Sequence, residues 1–305
     1  MNITTYTPSE NIHLIDTLHL GRDQVIGSYL LLGDAPILVD PGPTSTLATV
    51  EQGLASHGLG LGDLQALLLT HIHLDHAGAT GTILARHPHI RVYVHERGAP
   101  HLINPEKLLG SATRLYGDLM DVLWGEFLPV PDQRVTVLRG GETLQIGGRM
   151  LDVRYGPGHA SHHVVYIDQT SGAAFVGDNG GVRLPGSTYA RPATPPPDID
   201  LEAWDRTLTM IGELRPRLLC LTHFGPVFDP AEHLQSYRER LHRWAELVGS
   251  SIAQGEDDTV NLARLQELAV QELHDTPGEA ERYEQATPLY QSWQGLNRYW
   301  QRRRA

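Results

Sequence analysis

Six consecutive residues, His71-Ile72-His73-Leu74-Asp75-His76, place three imidazoles and a carboxylate one residue after the apolar run Leu67-Leu68-Leu69. Such a run reads as a buried strand, so the polar residues stand at a strand end. Side chains alternate along an extended chain, which turns His71 and His73 to one side. Asp75 and His76 fall where the chain bends toward a helix at Ala77-Gly78. Donors this dense, aimed in two directions, suit a pair of metal ions. The chain must then fold so that further ligands meet them.

Those ligands are sought at other strand ends. Gly156-Pro157-Gly158-His159 follows the strand-like stretch Met150 to Tyr155, Gly177-Asp178-Asn179 follows Ala173-Ala174-Phe175-Val176, and Thr222-His223-Phe224-Gly225 follows Leu218-Leu219-Cys220-Leu221. Each is an apolar run ended by one donor beside a glycine, whose freedom to turn presents the donor at a sheet rim. Five histidines and two aspartates result. Imidazole and carboxylate suit zinc, iron or manganese, and the lack of thiolate ligands argues against a closed structural zinc site.

These residues resemble the metallo-β-lactamase superfamily in its two-metal form, typified by glyoxalase II and acyl-homoserine lactonases. The order H-x-H-x-D-H, P-G-H, G-D, T-H is reproduced over residues 1 to about 230. The resemblance implies one metal on His71, His73 and His159, the other on Asp75, His76 and His223, and Asp178 bridging them. Two divalent ions are expected, zinc foremost, with iron or manganese as alternatives. The resemblance also implies an α/β fold, a four-layer αββα sandwich, where periodicity alone supports only a mixture of helix and strand. Asp40 stands where the family carries an acidic residue supporting a ligand, and His163 matches a second histidine of the family. His162 stands where the family has glycine.

The activity implied is attack of a metal-bound hydroxide on an ester, thioester, lactone or related small acyl substrate, with Asp75 or Asp178 moving the proton. The absence of a Gly-x-Ser-x-Gly elbow agrees with this. A non-hydrolytic di-iron redox protein and a phosphodiesterase are the alternatives. No flavin domain is visible, and the formal charge of −12 disfavours a polyanionic nucleic-acid partner. Glutathione thioester is a candidate substrate without a recognisable anchor. Lys107 is the chain's one lysine.

The first part, 1–229, is expected to be the catalytic domain. Strands are expected at Ile12–Ile15, Ser28–Leu32, Pro36–Asp40, 65–70 and 91–95, and helices at 44–57, 77–87, about 97–127 and 200–213. Gly180 to Asp198, rich in proline, is irregular and follows Asp178, so Arg183, Tyr189 and Arg191 are candidate substrate-binding residues. Residues 230–305 form a helical extension. Leu234, Tyr237, Leu241, Trp244 and Val248 step by three and four, as do Leu289, Trp293, Leu296 and Trp300, and a third helix runs from Asn261 to Leu273, bounded by Thr276-Pro277-Gly278.

This extension packs on the catalytic domain or pairs two subunits as a homodimer. His95 and His163 are assigned structural roles. The remaining histidines, among them His13, His19, His57, His101, His233 and His274, lack ligand spacing and are expected at the surface or in packing. Cys220 is expected to be a buried thiol. No leader and no apolar run long enough to span a bilayer is seen, which makes the cytoplasm the expected location.

Overall fold

The computed structural model describes residues 5–273 and 279–304. His274 and the turn at Thr276-Pro277-Gly278 lie outside the described residues. The first sheet holds β1 (Thr5–Ser9), β2 (Ile12–Asp16), β3 (Gly27–Leu31), β4 (Ile37–Val39), β5 (Ala66–Leu68), β6 (Arg91–His95) and β7 (Val135–Leu138), side by side in chain order. The second holds β8 (Thr143–Ile146), β9 (Arg149–Tyr155), β10 (Val164–Asp168), β11 (Ala173–Phe175), β12 (Leu218–Leu221) and β13 (Gly225–Val227), also in chain order.

Helices link the parallel strands, since a parallel pair needs a crossover. In the first half these are α1 (Leu47–Ala55), α2 (Leu74–Ala77), α3 (Thr80–Arg86), α4 (Ala99–Ile103), α5 (Glu106–Tyr116) and α6 (Met120–Leu123); α7 (Leu201–Glu213) joins β11 to β12. The stretch expected as one helix over 97–127 is thus three. Asn104 precedes Pro105 and is pushed into an extended conformation, and Gly117 ends α5 at a φ of 54°.

Alternation along the strands sorts the residues into layers. Tyr29, Leu31, Val39 and Leu68 of the first sheet meet Leu151, Val153, Tyr166 and Phe175 of the second in a core between the sheets. Their neighbours Leu30, Leu38 and Leu67 face the other way, toward Val50 and Leu54 of α1 and Ile83 of α3. Val165, Ala174 and Leu219 of the second sheet face α7 and the C-terminal helices α8 (Pro230–Ala253), α9 (Asp258–Glu272) and α11 (Leu289–Arg304). The chain is therefore an αββα sandwich. The short α10 (Ala280–Ala286) precedes α11.

The stripe Leu234, Tyr237, Leu241, Trp244 and Val248 is buried as the spacing predicts, and so are Leu289, Trp293 and Leu296. Trp300 is half-buried, its indole N–H donating to Ala245 O at 2.7 Å. These stripes are spent inside the chain's own core. No helix of the described residues is long and apolar enough to cross a membrane.

Two tyrosine hydroxyls tie the sheets together next to the site. Tyr29 Oη donates to Leu221 O at 2.7 Å, and Tyr166 Oη donates to Leu69 O at 2.9 Å. Both acceptors lie two residues before a candidate ligand, His223 and His71. The ends of β4, β5, β9, β11 and β12 all open on this side, the rim where α/β sheets present functional groups.

Candidate metal centre

Two groups of donors form there. The ligand atoms of His71, His73, His159 and Asp178 lie within 4.8 Å of one another, and so do those of Asp75, His76, Asp178 and His223. All seven residues that the sequence singles out are brought together, with Asp178 common to both groups. Its Oδ2 lies 3.4 Å from His159 Nε2, while its Oδ1 lies 3.1 Å from His76 Nε2 and 3.5 Å from His223 Nε2. One carboxylate oxygen thus faces each group. Asp75 Oδ2 is 3.2 Å from His223 Nε2.

The back of each ring is pinned. Nδ1 of His76 donates to Asp40 Oδ2 at 2.8 Å, Nδ1 of His159 to Ala193 O at 2.8 Å, and Nδ1 of His223 to Val25 O at 2.6 Å. His71 follows by elimination. The Thr70 hydroxyl gives its one proton to Asp40 Oδ2 at 2.7 Å, so it accepts from His71 Nδ1 at 3.1 Å. All four rings therefore turn Nε2 into the cluster, which is how an outer hydrogen bond orients a metal-binding imidazole. His73 enters through Nδ1, 2.9 Å from His71 Nε2 and 3.0 Å from His159 Nε2.

Electrostatics agree with a cation site. Burial, reinforced by neighbouring imidazoles, holds His71 well below the usual histidine range and His73 at about 4, so both are neutral donors. At His76 burial pulls the same way, but Asp178, Asp75 and Asp40 outweigh it and hold the ring well above that range. For Asp178, burial is outweighed by His76, His223 and His159, which keep it ionised. His76 Nε2, His223 Nε2 and Asp178 Oδ1 are buried and have no aligned hydrogen-bond partner among the described residues. Unspent atoms of this kind, opposed across a few ångströms, fit divalent cations held by nitrogen and oxygen.

Local sequence explains the delivery. Gly158, at a φ of 147°, lets the chain pass Trp204, where a Cβ would come within 2.5 Å of that residue's backbone. Gly177, at a φ of 48°, passes beneath the cluster, where a Cβ would lie 2.6 Å from Thr70 Oγ1 and 2.7 Å from His163 Nε2. Asp40, also at positive φ, is buried at the end of β4 and gathers Thr70 N, Thr70 Oγ1, Thr222 Oγ1 and His76.

His163 is buried beside the centre, its ring stacked on His71 at 4.8 Å and its Nδ1 3.0 Å from Asn179 Nδ2. His95 stacks on Tyr155 away from the ligands. Arg183, Tyr189 and Arg191, expected at the substrate, are placed elsewhere. Arg183 pairs with Asp229 at 3.0 Å, Arg191 with Glu284 at 3.2 Å, and Tyr189 is buried against Tyr283 beneath Arg240. The irregular segment folds back through the bridge of Val182 with Arg191, which turns these side chains into the body of the protein.

A cavity of about 600 Å³ opens over His73, Asp75 and Asp178. Leu108, Ala112 and Leu115 of α5 roof it, and Trp124, Pro195 and Ala286 add apolar walls. Two histidines expected at the surface or in packing line it. His19 is buried, stacked on Trp124 at 5.4 Å, and His101 stands on α4. Residues 284–288 of the C-terminal segment form another wall, a contribution that no local motif signals. The supporting threonines did carry a signal, since Thr70-His71 and Thr222-His223 repeat the same dipeptide.

Comparison with known proteins agrees with this fold. The sequence pattern of the metallo-beta-lactamase superfamily matches residues 22–223, and the chain belongs to that superfamily. It is 27% identical over 235 residues to a metallo-beta-lactamase fold-containing protein, ST1585, of Sulfurisphaera tokodaii, a match covering 75% of this chain and 84% of that protein. A hydroxyacylglutathione hydrolase of Cupriavidus metallidurans is 34% identical over 154 residues, covering 48% of this chain and 45% of the hydrolase. Among solved structures, the metallo-beta-lactamase family protein TTHA1429 of Thermus thermophilus aligns with a TM-score of 0.70 at 22% identity, over 98% of this chain and 96% of its own, a likeness of fold.

Proposed function

We propose that the protein is a hydrolase of a small-molecule ester, thioester or lactone, working with two divalent ions, zinc foremost. His71, His73 and His159 would hold one ion, Asp75, His76 and His223 the other, and Asp178 both. The observation that carries this reading is the sharing of Asp178, one oxygen turned to each group of donors. Ions bound there would bring a shared water toward neutral pKa and polarise the substrate carbonyl.

The chain's own part is to pin Nδ1 of four imidazoles so that Nε2 faces the ions, to wall the centre beneath α5, and to receive a proton. Asp75 suits the last task. Its side chain is 19% exposed against 7% for Asp178, and it lines the cavity. The similarity to hydroxyacylglutathione hydrolases, and to a thioesterase, pkgB, of Emericella nidulans at 26% identity over 159 residues, supports acyl substrates.

The test is metal analysis of the purified protein with a panel of thioesters, esters, lactones, lactams and phosphodiesters. The expected result is a colourless protein with close to two zinc ions per chain that hydrolyses acyl substrates and loses this activity on chelation. Full activity in metal-free protein overturns the proposal. An iron chromophore with oxygen-dependent change, in place of hydrolysis, overturns it as well.

A further inference from the structure

The cavity over the candidate centre has two unlike ends. At the Asp75 side stand Trp124, Leu123 and Tyr116, and burial followed by the charge of Asp75 holds the Tyr116 phenol up and protonated. His162 stands beside His73, with Arg97 next to Gly98, where a Cβ would lie 3.5 Å from His162 Cβ, and His101 and Lys107 complete the polar lining. His162 is 9% exposed and packs edge-on to His73 at 5.6 Å. Neither of its ring nitrogens makes a hydrogen bond to a described residue, and Nδ1 is fully enclosed.

The charges at this end are unequal. The carboxylates on the cavity wall outside the metal donors are engaged within the protein, Asp198 accepting from Ser161 Oγ at 2.9 Å and Glu284 accepting from Arg191 and Leu289 N. Lys107 and Arg97 have no carboxylate within 4 Å among the described residues. Arg97 lies over the Tyr155 ring at 5.7 Å. A second recess of about 410 Å³ shares Arg97, Ser161 and Asp198 with the first, and adds Arg206, Arg302 and Asp200, whose Oδ1 accepts from Ala203 N at 2.8 Å. In a chain of charge −12, Lys107 and Arg97 thus stand on the cavity wall as cations without an ion-pair partner among the described residues.

We infer that the site takes an acyl ester or thioester whose acyl group is apolar and whose leaving group is anionic. The acyl chain lies along Leu115, Leu123 and Trp124, and the anion meets Lys107 and Arg97 beside His162. This rests on the hydrolase reading for the bond that is broken, and on the cavity alone for the shape and charge of what is bound. Hydrolysis divides the C–S or C–O bond, the acyl carbon gaining the hydroxyl of water and the leaving group its proton.

The probes are S-octanoyl-4-mercaptobutyrate and its carboxamide, identical but for one negative charge, with thiol release measured on zinc-loaded protein. The carboxylate is expected to be favoured about tenfold in kcat/KM, carried by KM, as charge-assisted contacts of this kind give. In Lys107→Gln/Arg97→Gln, two exposed positions that the fold does not depend on, the ratio is expected to fall toward one. An unchanged ratio in the double variant, or a wild-type preference for the amide, overturns the inference. Where neither compound is cleaved while the acyl panel is, the thioester assignment is overturned; where the whole panel is inert the hydrolase reading fails, and thermal shift decides the anion end. Greater protection by the carboxylate in the wild type than in the double variant upholds the anion end, and equal protection overturns it.

Discussion

Asp40 Oδ2 lies 2.8 Å from His76 Nδ1, and neither side chain is open to solvent. The same carboxylate takes Thr70 and Thr222, so it joins the ends of β4, β5 and β12 to a candidate ligand. Its removal strands several buried donors at once. Asp40→Ala is expected to cost about 3–5 kcal/mol of stability and to weaken metal binding 10- to 100-fold. Denaturant melts and zinc titration against a chromogenic chelator measure both. A variant with wild-type affinity would remove Asp40 from the support of His76.

The shared position of Asp178 predicts unequal losses among the ligands. His71→Ala is expected to lower zinc content by one ion per chain, and Asp178→Ala to lower both occupancies, since its two oxygens face different groups. Turnover is expected to fall at least about a thousandfold in each, because the proposed hydrolytic centre would lose its nucleophile with its ions. Elemental analysis beside acyl hydrolysis separates the two variants.

His233 gives a pH dependence away from the donors. Its Nδ1 accepts from Arg183 at 3.3 Å and its Nε2 donates to Gly180 O at 2.8 Å, an arrangement that only the neutral ring satisfies. Burial first, then Arg183 and Arg240, bring its pKa down to about 4, against 6.5 for an ordinary histidine. The folded value is the lower one, so the stability it confers is complete above pH 6.5 and is lost as pH falls through 4. Linkage puts the loss at about 2 kcal/mol by pH 5. His233→Gln, which keeps a donor and an acceptor, is expected to shrink the difference between urea melts at pH 7 and pH 5 by that amount. An unaltered difference would mean that another group carries it.

Gly177 and Gly58 share a positive φ but differ in surroundings. A Cβ at Gly177 meets Thr70 and His163, while one at Gly58 meets nothing within 4 Å. Gly58→Ala is expected to cost about 1 kcal/mol from backbone strain alone, and Gly177→Ala about 2–4 kcal/mol with loss of bound metal. Equal costs, with metal retained in both, would show that the close approach below Asp178 is unimportant.

Arg183 faces Asp229 and His233 in place of the cavity. Arg183→Gln is expected to lower stability by about 1–2 kcal/mol and to leave KM within about twofold. A large rise in KM would return it to the substrate.

The ligands were legible because each is a strand end with its own local signature, a donor and a glycine after an apolar run. Asp40 was legible from its family position, and His159 despite His162 in place of glycine. Arg183, Tyr189 and Arg191 were misplaced because proximity to Asp178 along the chain says nothing of direction once Val182 pairs with Arg191. β1 and β13 were missed for a related reason. Both are edge strands carrying proline, at Pro8 and Pro226, which edges tolerate and sequence patterns penalise. The cavity wall at 284–288 depends on how the C-terminal helices dock, and periodicity reports which face of a helix is apolar without naming its neighbour.

That wall is made late in the life of the chain. During synthesis every candidate donor up to His223 emerges roughly sixty residues ahead of Glu284, so the donors can meet before that wall is in place. One wall of the cavity is thereby encoded apart from the donors, while α5 and Trp124 lie among them in the chain. Exchange of the last stretch between relatives would reshape that wall and leave the donors as they are.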